Sequence, residues 1–394
     1  MRNQSLFEDQ RLTLEKSLAL TADSLRAYGE RYRHWAIAYS GGKDSSAAVT
    51  ATIDLIEGGQ IAKPESLTVL YADTRMELPP LQASAMGIIN AIRDRGYEAH
   101  VVLPELDERF FVYMFGRGVP PPKNRFRWCT AQLKIEPMEN ALKDLRERTG
   151  EKLLMLTGVR LGESAQRDAR IALSCSRDGA ECGQGWFQEA TPERIADTLA
   201  PILHWRVCHV WDWLMFYAPD LGFPTTEIAE AYGGDEAQEI NARTGCVGCN
   251  LASKDTALDT VLRIPRWQYL SPLKRLRPLY AELTKFHNRL RKYMETNADG
   301  QLAANQGRRG PLTMEARRAG LAEVLAIQLE VNEGARSQGM PEVSLINEEE
   351  ELRILELIDA NTWPNKWTGD EDRGDVMRPE IYRDGSMQPL IFGE

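Results

Sequence analysis

A short apolar run, Trp35-Ala36-Ile37-Ala38-Tyr39, leads directly into Ser40-Gly41-Gly42-Lys43-Asp44-Ser45 and then into a segment of helical composition, residues 46–56. This order constrains the chain more than any other feature. The apolar run suits a buried parallel strand. Two adjacent glycines let backbone N–H groups close on an anion, and the start of a helix adds its partial positive charge. Ser40 and Ser45 bring hydroxyl donors, Ser46 adjoins them, and Lys43 can neutralise a phosphate. Asp44 is out of place in a plain anion loop; a carboxylate among phosphates makes sense if it holds Mg²⁺. A turn that only caps a helix would need the glycines but not the whole six-residue string. The Gly-x4-Gly-Lys-Ser/Thr spacing of a Walker A loop is absent.

Strand and helix patterns then alternate. Residues 67–71, 98–103 and 153–156 read as strands and residues 78–95 as a helix, which predicts a parallel sheet covered on both faces. A polar amphipathic helix over residues 9–33 precedes them. A chain of 394 residues is long for one core. We expect a first domain over residues 1–270 and a mainly helical region over 271–394. Residues 172–186 are Gly-rich and read as an excursion over the active-site end of the sheet, and the aromatic-rich residues 205–217 read as helical. Asn347 followed by Glu350 resembles a capping box opening a helix over 348–358. The tail after Trp363 reads as irregular. No apolar run is long enough to span a membrane, and the polar N-terminus has no signal-peptide core, so a cytoplasmic protein with no membrane partner is expected.

The formal net charge of -10 excludes a uniformly basic nucleic-acid binder, but not a local patch. Lys274, Arg275, Arg277, Lys285, Arg289, Arg291 and Lys292 are interleaved with Tyr280, Phe286 and Tyr293. This segment fits either a nucleic-acid backbone contact or a solvated helix face. The six cysteines are Cys129, Cys175, Cys182, Cys208, Cys246 and Cys249. Metal or redox chemistry suits them better than disulfides in a cytosolic chain. Cys246 and Cys249 have ligand spacing, which allows zinc or a redox dithiol. Cys208 reads as buried and inert. His204 and His287 read as structural.

The string from Tyr39 to Ser46 resembles the PP-loop of ATP pyrophosphatases, which cleave ATP between the α and β phosphates and form an adenylated intermediate. The resemblance implies an α/β fold of adenine nucleotide alpha-hydrolase type: a twisted parallel sheet with helices on both faces, plus a helical C-terminal region. Tyr71-Ala72-Asp73-Thr74 resembles the turn that borders the nucleotide in the PAPS reductase branch. Arg125-Phe126-Arg127-Trp128-Cys129-Thr130 with Lys134 resembles that branch's anion-binding segment. Thr157-Gly158-Val159-Arg160 with Glu163, Ser164 and Arg167 resembles its Gly-x-Arg-x-x-Glu-Ser element. Pro201-Ile202, Trp205 and Val210-Trp211 resemble a further stretch of it, with His209 where an Asp is usual. The match covers roughly residues 30–270. The reductases themselves carry a catalytic cysteine near the C-terminus, and this chain has none after Cys249.

A second set of strings is similar to the DndC/SspD-type proteins of bacterial DNA phosphorothioation. These are the Arg-Trp-Cys-Thr string and Gly245-Cys246-Val247-Gly248-Cys249 followed by Lys254-Asp255. The resemblance implies an ATP pyrophosphatase that adenylates a DNA backbone phosphate. Sulfur from a cysteine desulfurase then replaces a non-bridging oxygen, in a system of antiviral defence with further phosphorothioation subunits. It implies ATP, Mg²⁺ and a [4Fe–4S] cluster held by Cys129, Cys246 and Cys249, with Cys182 a further candidate. Lys43, Asp44 and Arg160 would be catalytic. Ser40, Gly41, Gly42, Ser45, Ser46, Asp73, Arg125, Arg127, Lys134 and Gly158 would bind the nucleotide. The rival readings are a tRNA thiolase that adenylates a base carbonyl, a sulfonucleotide reductase, and a catalytically idle nucleotide-binding scaffold.

Overall fold

The computed structural model describes residues 12–124, 126–162, 168–169, 180–181, 186–188, 195–232, 246–296, 300–302, 308–381 and 386–388. The chain forms two compact units. The first comprises Met1–Asp73, Glu77–Leu103 and Ile135–Thr244; the second comprises Thr74–Met76, Pro104–Lys134 and Gly245–Glu394.

The first unit is built on a seven-stranded sheet. Its strands are β1 (His34–Tyr39), β2 (Ser66–Ala72), β3 (Glu98–Val102), β4 (Leu153–Leu156), β5 (Ala180–Glu181), β6 (Trp186–Gln188) and β7 (Ala196–Ala200). The order is β3-β2-β1-β4-β7-β6-β5. The first five in that order run parallel, and β6 and β5 add an antiparallel edge. The sheet is therefore mixed and mostly parallel, with helices on both faces. β2 is buried from Leu67 to Ala72, as a strand covered on both sides must be. The main helices are α1 (Leu14–Gly29), α2 (Lys43–Glu57), α3 (Pro79–Asp94) and α4 (Glu136–Thr149). α4 reaches the sheet with Leu142 and Leu145, which pack on Ala36, Leu70 and Leu153. α2 is buried almost all round, and its small residues Ala47, Ala48 and Ala51 let it sit that deep. Further along the unit come α5 (Val207–Asp212), a π-helical stretch (Trp213–Tyr217) and α6 (Ile228–Ala231).

The second unit is mainly helical. It contains α7 (Thr256–Val261), a long 3-10 stretch (Pro265–Arg275), α8 (Leu276–Leu283), α9 (Met314–Gln338) and α10 (Glu348–Asp359). α9 starts at Thr313, whose hydroxyl accepts the Ala316 N–H, and ends at Gly339 in the left-handed region at φ 64°. The expected capping box opens α10. Asn347 Oδ1 accepts the Glu350 N–H at 2.9 Å, and Glu350 Oε2 accepts the Asn347 N–H at 3.0 Å. Residues after Trp363 are not wholly irregular, since Asp372–Arg373 pairs with Leu290–Arg291 and Glu380–Ile381 pairs with Met387–Gln388. Among the described residues no helix is long and apolar enough to cross a membrane.

Candidate functional site

β1 ends at Tyr39, and the backbone then turns through Ser40, Gly41 and Gly42 into α2. Gly41 needs to be glycine: its φ is +73°, and a Cβ there would lie 3.1 Å from the Ala85 Cβ. Gly42 is the helix N-cap and has no side chain of its own with which to cap the first turn. Ser45 ties the turn together. Its hydroxyl donates to the Gly42 carbonyl at 3.0 Å and lies 3.1 Å from the Ser40 hydroxyl. The Ser46 hydroxyl is buried behind the loop and donates to the Tyr39 hydroxyl at 3.3 Å.

Three charged side chains meet at the helix start. Lys43 Nζ lies 3.2 Å from Asp44 Oδ2, and Arg160 Nε donates to Asp44 Oδ1 at 2.5 Å. Arg160 also donates to the Trp205 carbonyl at 3.2 Å. Lys43 is 5% exposed and Arg160 is 4% exposed. Asp44 thus lies between two nearly buried cations. Its carboxylate orients both of them at the start of α2.

Gly158 follows β4 and crosses directly over this turn. A Cβ on it would meet the N and Cα of Ser45 at 2.7 Å, and backbone cannot yield as a side chain end can. Gly158→Ala is therefore expected to push the first turn of α2 away from the strand end and to cost about 1–3 kcal/mol, the range for overpacking a tight contact. Urea unfolding of the variant checks this; an unchanged midpoint would show that the close approach is not needed. Asp73 follows β2 and is buried, its N–H donating to the Val102 carbonyl at 3.0 Å. His209 replaces no acid function. Its Nδ1 meets the Ser17 hydroxyl at 3.1 Å and its Nε2 meets the Leu12 carbonyl at 3.0 Å, so it fastens α5 to α1.

Cys129, Cys246 and Cys249 belong to the second unit. Cys129 lies in a single helical turn (Trp128–Thr130). Cys246 and Cys249 flank a tight turn in which the Cys249 N–H donates to the Cys246 carbonyl at 3.1 Å and the Val247 N–H to the Met76 carbonyl at 2.7 Å. Gly248 makes that turn possible, with φ +64° and the Leu276 Cβ 2.6 Å from where its own Cβ would be. Arg277 braces the exit by donating to the carbonyls of Cys249 and Ala252 at 2.7 and 2.9 Å. Cys129, Cys246, Cys249 and Lys134 all line one cavity of about 260 Å³. Burial, and then the nearby Cys249, push the Cys129 thiol above its ordinary range, while Thr130 and Lys134 pull the other way. Tyr280 also lines this cavity. It is fully buried, its hydroxyl has no hydrogen-bond partner among the described residues, and burial followed by Cys246 and Cys249 pushes its titration well up. Among the described residues no group of three or more His, Cys, Asp or Glu side chains is arranged to hold a metal ion.

The structure thus gathers Ser40, Gly41, Gly42, Lys43, Asp44, Ser45, Ser46, Asp73, Gly158 and Arg160 in the first unit. It puts Arg127 and Lys134 in the second, with Cys129, Cys246 and Cys249. Arg127 is exposed and donates to Asn124 Oδ1 at 3.0 Å. Arg125, Glu163, Ser164, Arg167, Cys175 and Cys182 lie outside the described residues. Cys208 corrects the sequence reading: it is exposed, because α5 turns residues 209–211 inward instead. In the basic segment one residue departs from both readings, a nucleic-acid contact or a solvated helix face. Arg289 is an interior residue, 6% exposed, that donates to the Gly310 carbonyl at 2.7 Å. Arg275 pairs with Glu323 and Glu330, and Lys274 pairs with Asp259. Sequence reasoning missed Tyr232, whose hydroxyl accepts the Lys43 N–H at 3.3 Å, and it read Tyr280 only as part of the basic segment.

Residues 34–217 match the profile of the phosphoadenosine phosphosulfate reductase domain. That stretch is PAPS reductase-like. Two uncharacterized proteins of Methanocaldococcus jannaschii are 24% and 25% identical to the chain over 176 and 192 residues, 45% of this chain in each case. The chain spans about a third of these curated relatives, 34% and 31% of their lengths. Among solved structures, a PAPS reductase from Candida auris in a phosphate complex is 15% identical with a TM-score of 0.33, covering 54% of this chain and 93% of that one. The U34-tRNA thiolase NcsA from Methanococcus maripaludis, with its [4Fe-4S] cluster, is 14% identical with a TM-score of 0.36, covering 69% and 82%.

Proposed function

We propose that the chain is an ATP pyrophosphatase that adenylates its acceptor, and that the acceptor is a phosphate oxygen of the DNA backbone. The observation that carries the first part is the phosphate loop. Its helix start, at Lys43, carries a pair of nearly buried cations, Lys43 and Arg160, both paired with Asp44. The acceptor oxygen attacks the α-phosphorus of ATP, the bond to the β-phosphate oxygen breaks, and pyrophosphate leaves with that electron pair. Lys43 and Arg160 stabilise the negative charge that grows on the phosphates. They are already oriented, so little reorganisation is needed during the reaction. A divalent ion would arrive on the phosphates of the nucleotide, as Mg²⁺ commonly does, and Asp44 is assigned no step through it.

The DNA acceptor rests on the motif resemblance at Arg127-Trp128-Cys129-Thr130 and at Cys246 to Asp255, not on the basic segment. Cys129, Cys246 and Cys249 line one cavity and are of the donor type a thiolate-held cluster needs, but they would have to draw closer together to bind one. Cys129, Cys246 and Cys249 would hold it, and Cys182 remains a further candidate ligand. Bound there, it would supply sulfur chemistry for the displacement that follows adenylation. A cysteine desulfurase would deliver the sulfur, with other phosphorothioation subunits as partners.

Two measurements test this reading. Protein purified without oxygen is expected to be brown, and Cys129→Ser, Cys246→Ser and Cys249→Ser to bleach it, whereas the exposed Cys208→Ser leaves the colour intact. A colourless protein with stoichiometric zinc contradicts the cluster. Mass spectrometry of nuclease-digested DNA is expected to find phosphorothioate in cells with the intact gene and none with Lys43→Ala. Loss of thiolated tRNA bases, with DNA sulfur unchanged, would point to the tRNA acceptor instead.

A further inference from the structure

Tyr232 lies outside every motif, yet it touches the phosphate loop in three ways. It follows α6 and is 3% exposed. Its hydroxyl accepts the Lys43 N–H at 3.3 Å. The Lys43 ammonium sits over its ring, 4.9 Å from the centroid. A Cβ on Gly42 would find the same hydroxyl 3.4 Å away. Trp211 packs edge-on against the ring with centroids 5.2 Å apart, which fixes its position.

The Lys43 N–H belongs to the first turn of α2. First-turn donors have no partner within their own helix, and an anion at a helix start is held by them. A phosphate oxygen that takes this donor must displace the phenol oxygen from it. The ammonium keeps its pair with Asp44 and exchanges only its contact with the aromatic face for one with a phosphate. In both exchanges a neutral acceptor gives way to a charged one, and hydrogen bonds to ionised acceptors are roughly twice as strong. We infer that Tyr232 is a gating residue of the phosphate loop, holding the backbone donor and the ammonium of Lys43 until a nucleotide phosphate takes them. Ligands without a phosphate at this position leave the hydroxyl where it is. The gate thus sets a threshold that favours polyphosphates over uncharged nucleosides. This inference rests on the nucleotide reading of the loop.

Tyr232→Phe separates the gate from simple packing. It keeps the ring, the contact with Trp211 and the cation over the face, and removes only the hydroxyl. Titration calorimetry with ATP and with adenosine is run on the wild type and the variant, alongside a thermal melt to confirm folding. Losing one competing hydrogen bond is expected to tighten ATP binding by roughly two- to tenfold and to leave adenosine binding unchanged. A residue that merely packs predicts equal ATP affinity, and a hydroxyl that itself binds phosphate predicts weaker affinity. Either result overturns the gate. The ¹⁵N-amide resonance of Lys43, recorded without nucleotide, should also shift in Tyr232→Phe, and an unmoved resonance overturns the gate as well. If the amide shifts but neither protein binds ATP, the nucleotide reading fails and the gate falls with it. If both bind ATP equally, the gate fails alone.

Discussion

Lys43→Ala is expected to lower ATP-dependent pyrophosphate release by about a hundred- to a thousandfold while leaving the protein folded. The size follows from the role, since one preorganised contact to transition-state charge is worth roughly 3–4 kcal/mol. The fold survives because Asp44 keeps its second partner, with Arg160 Nε at 2.5 Å. The substitution therefore removes a positive charge from the loop without stranding a buried carboxylate. Steady-state rates together with a thermal melt test both halves. A variant that melts like the wild type and releases pyrophosphate at the wild-type rate would remove Lys43 from the chemistry.

Asp44→Ala should behave differently and strike stability first. Its carboxylate is the acid shared by Lys43 and Arg160, both nearly buried. Removing it leaves two cations without their counter-charge, and breaking a buried ion pair from one side costs about 3–5 kcal/mol. Adding Arg160→Met to Asp44→Ala takes away one of the stranded charges, so it is expected to recover part of the lost stability and none of the activity. Denaturant unfolding of the two single variants and the double variant gives the cycle. If Asp44→Ala unfolds at the wild-type midpoint, the carboxylate does not organise the cations as described here.

The strand, turn and helix over residues 34–57 were legible in the sequence because everything that builds them is local. An apolar strand, two glycines and a helix start lie within one continuous stretch, and β1 and α2 fall where their patterns put them. β7 was not legible. Its sequence Ala-Asp-Thr-Leu-Ala has no apolar run, and its buried Asp197 is tolerated only because Lys152 and the Tyr32 hydroxyl reach it at 2.7 and 2.5 Å. α4 was missed for a related reason: it buries only Leu142 and Leu145 along a highly charged helix. Tyr232 could not be found either. Its contact with Lys43 spans 189 positions, and no local pattern marks a tyrosine at the end of a four-residue helix. The Cys246-to-Cys249 turn was legible from its spacing, but the braces around it were not. Arg277 stood within a run of basic residues that suggested solvent or nucleic acid, and it is spent instead on backbone carbonyls.

The central claim is the bond that is cut in ATP. The direct measurement uses ATP labelled on the α and γ phosphates, incubated with the protein, DNA and a cysteine desulfurase, with the products separated by chromatography. The α label is expected to appear in AMP or in an adenylated acceptor, and the γ label in pyrophosphate, with both signals lost in Lys43→Ala. Label appearing as ADP and inorganic phosphate would contradict the account.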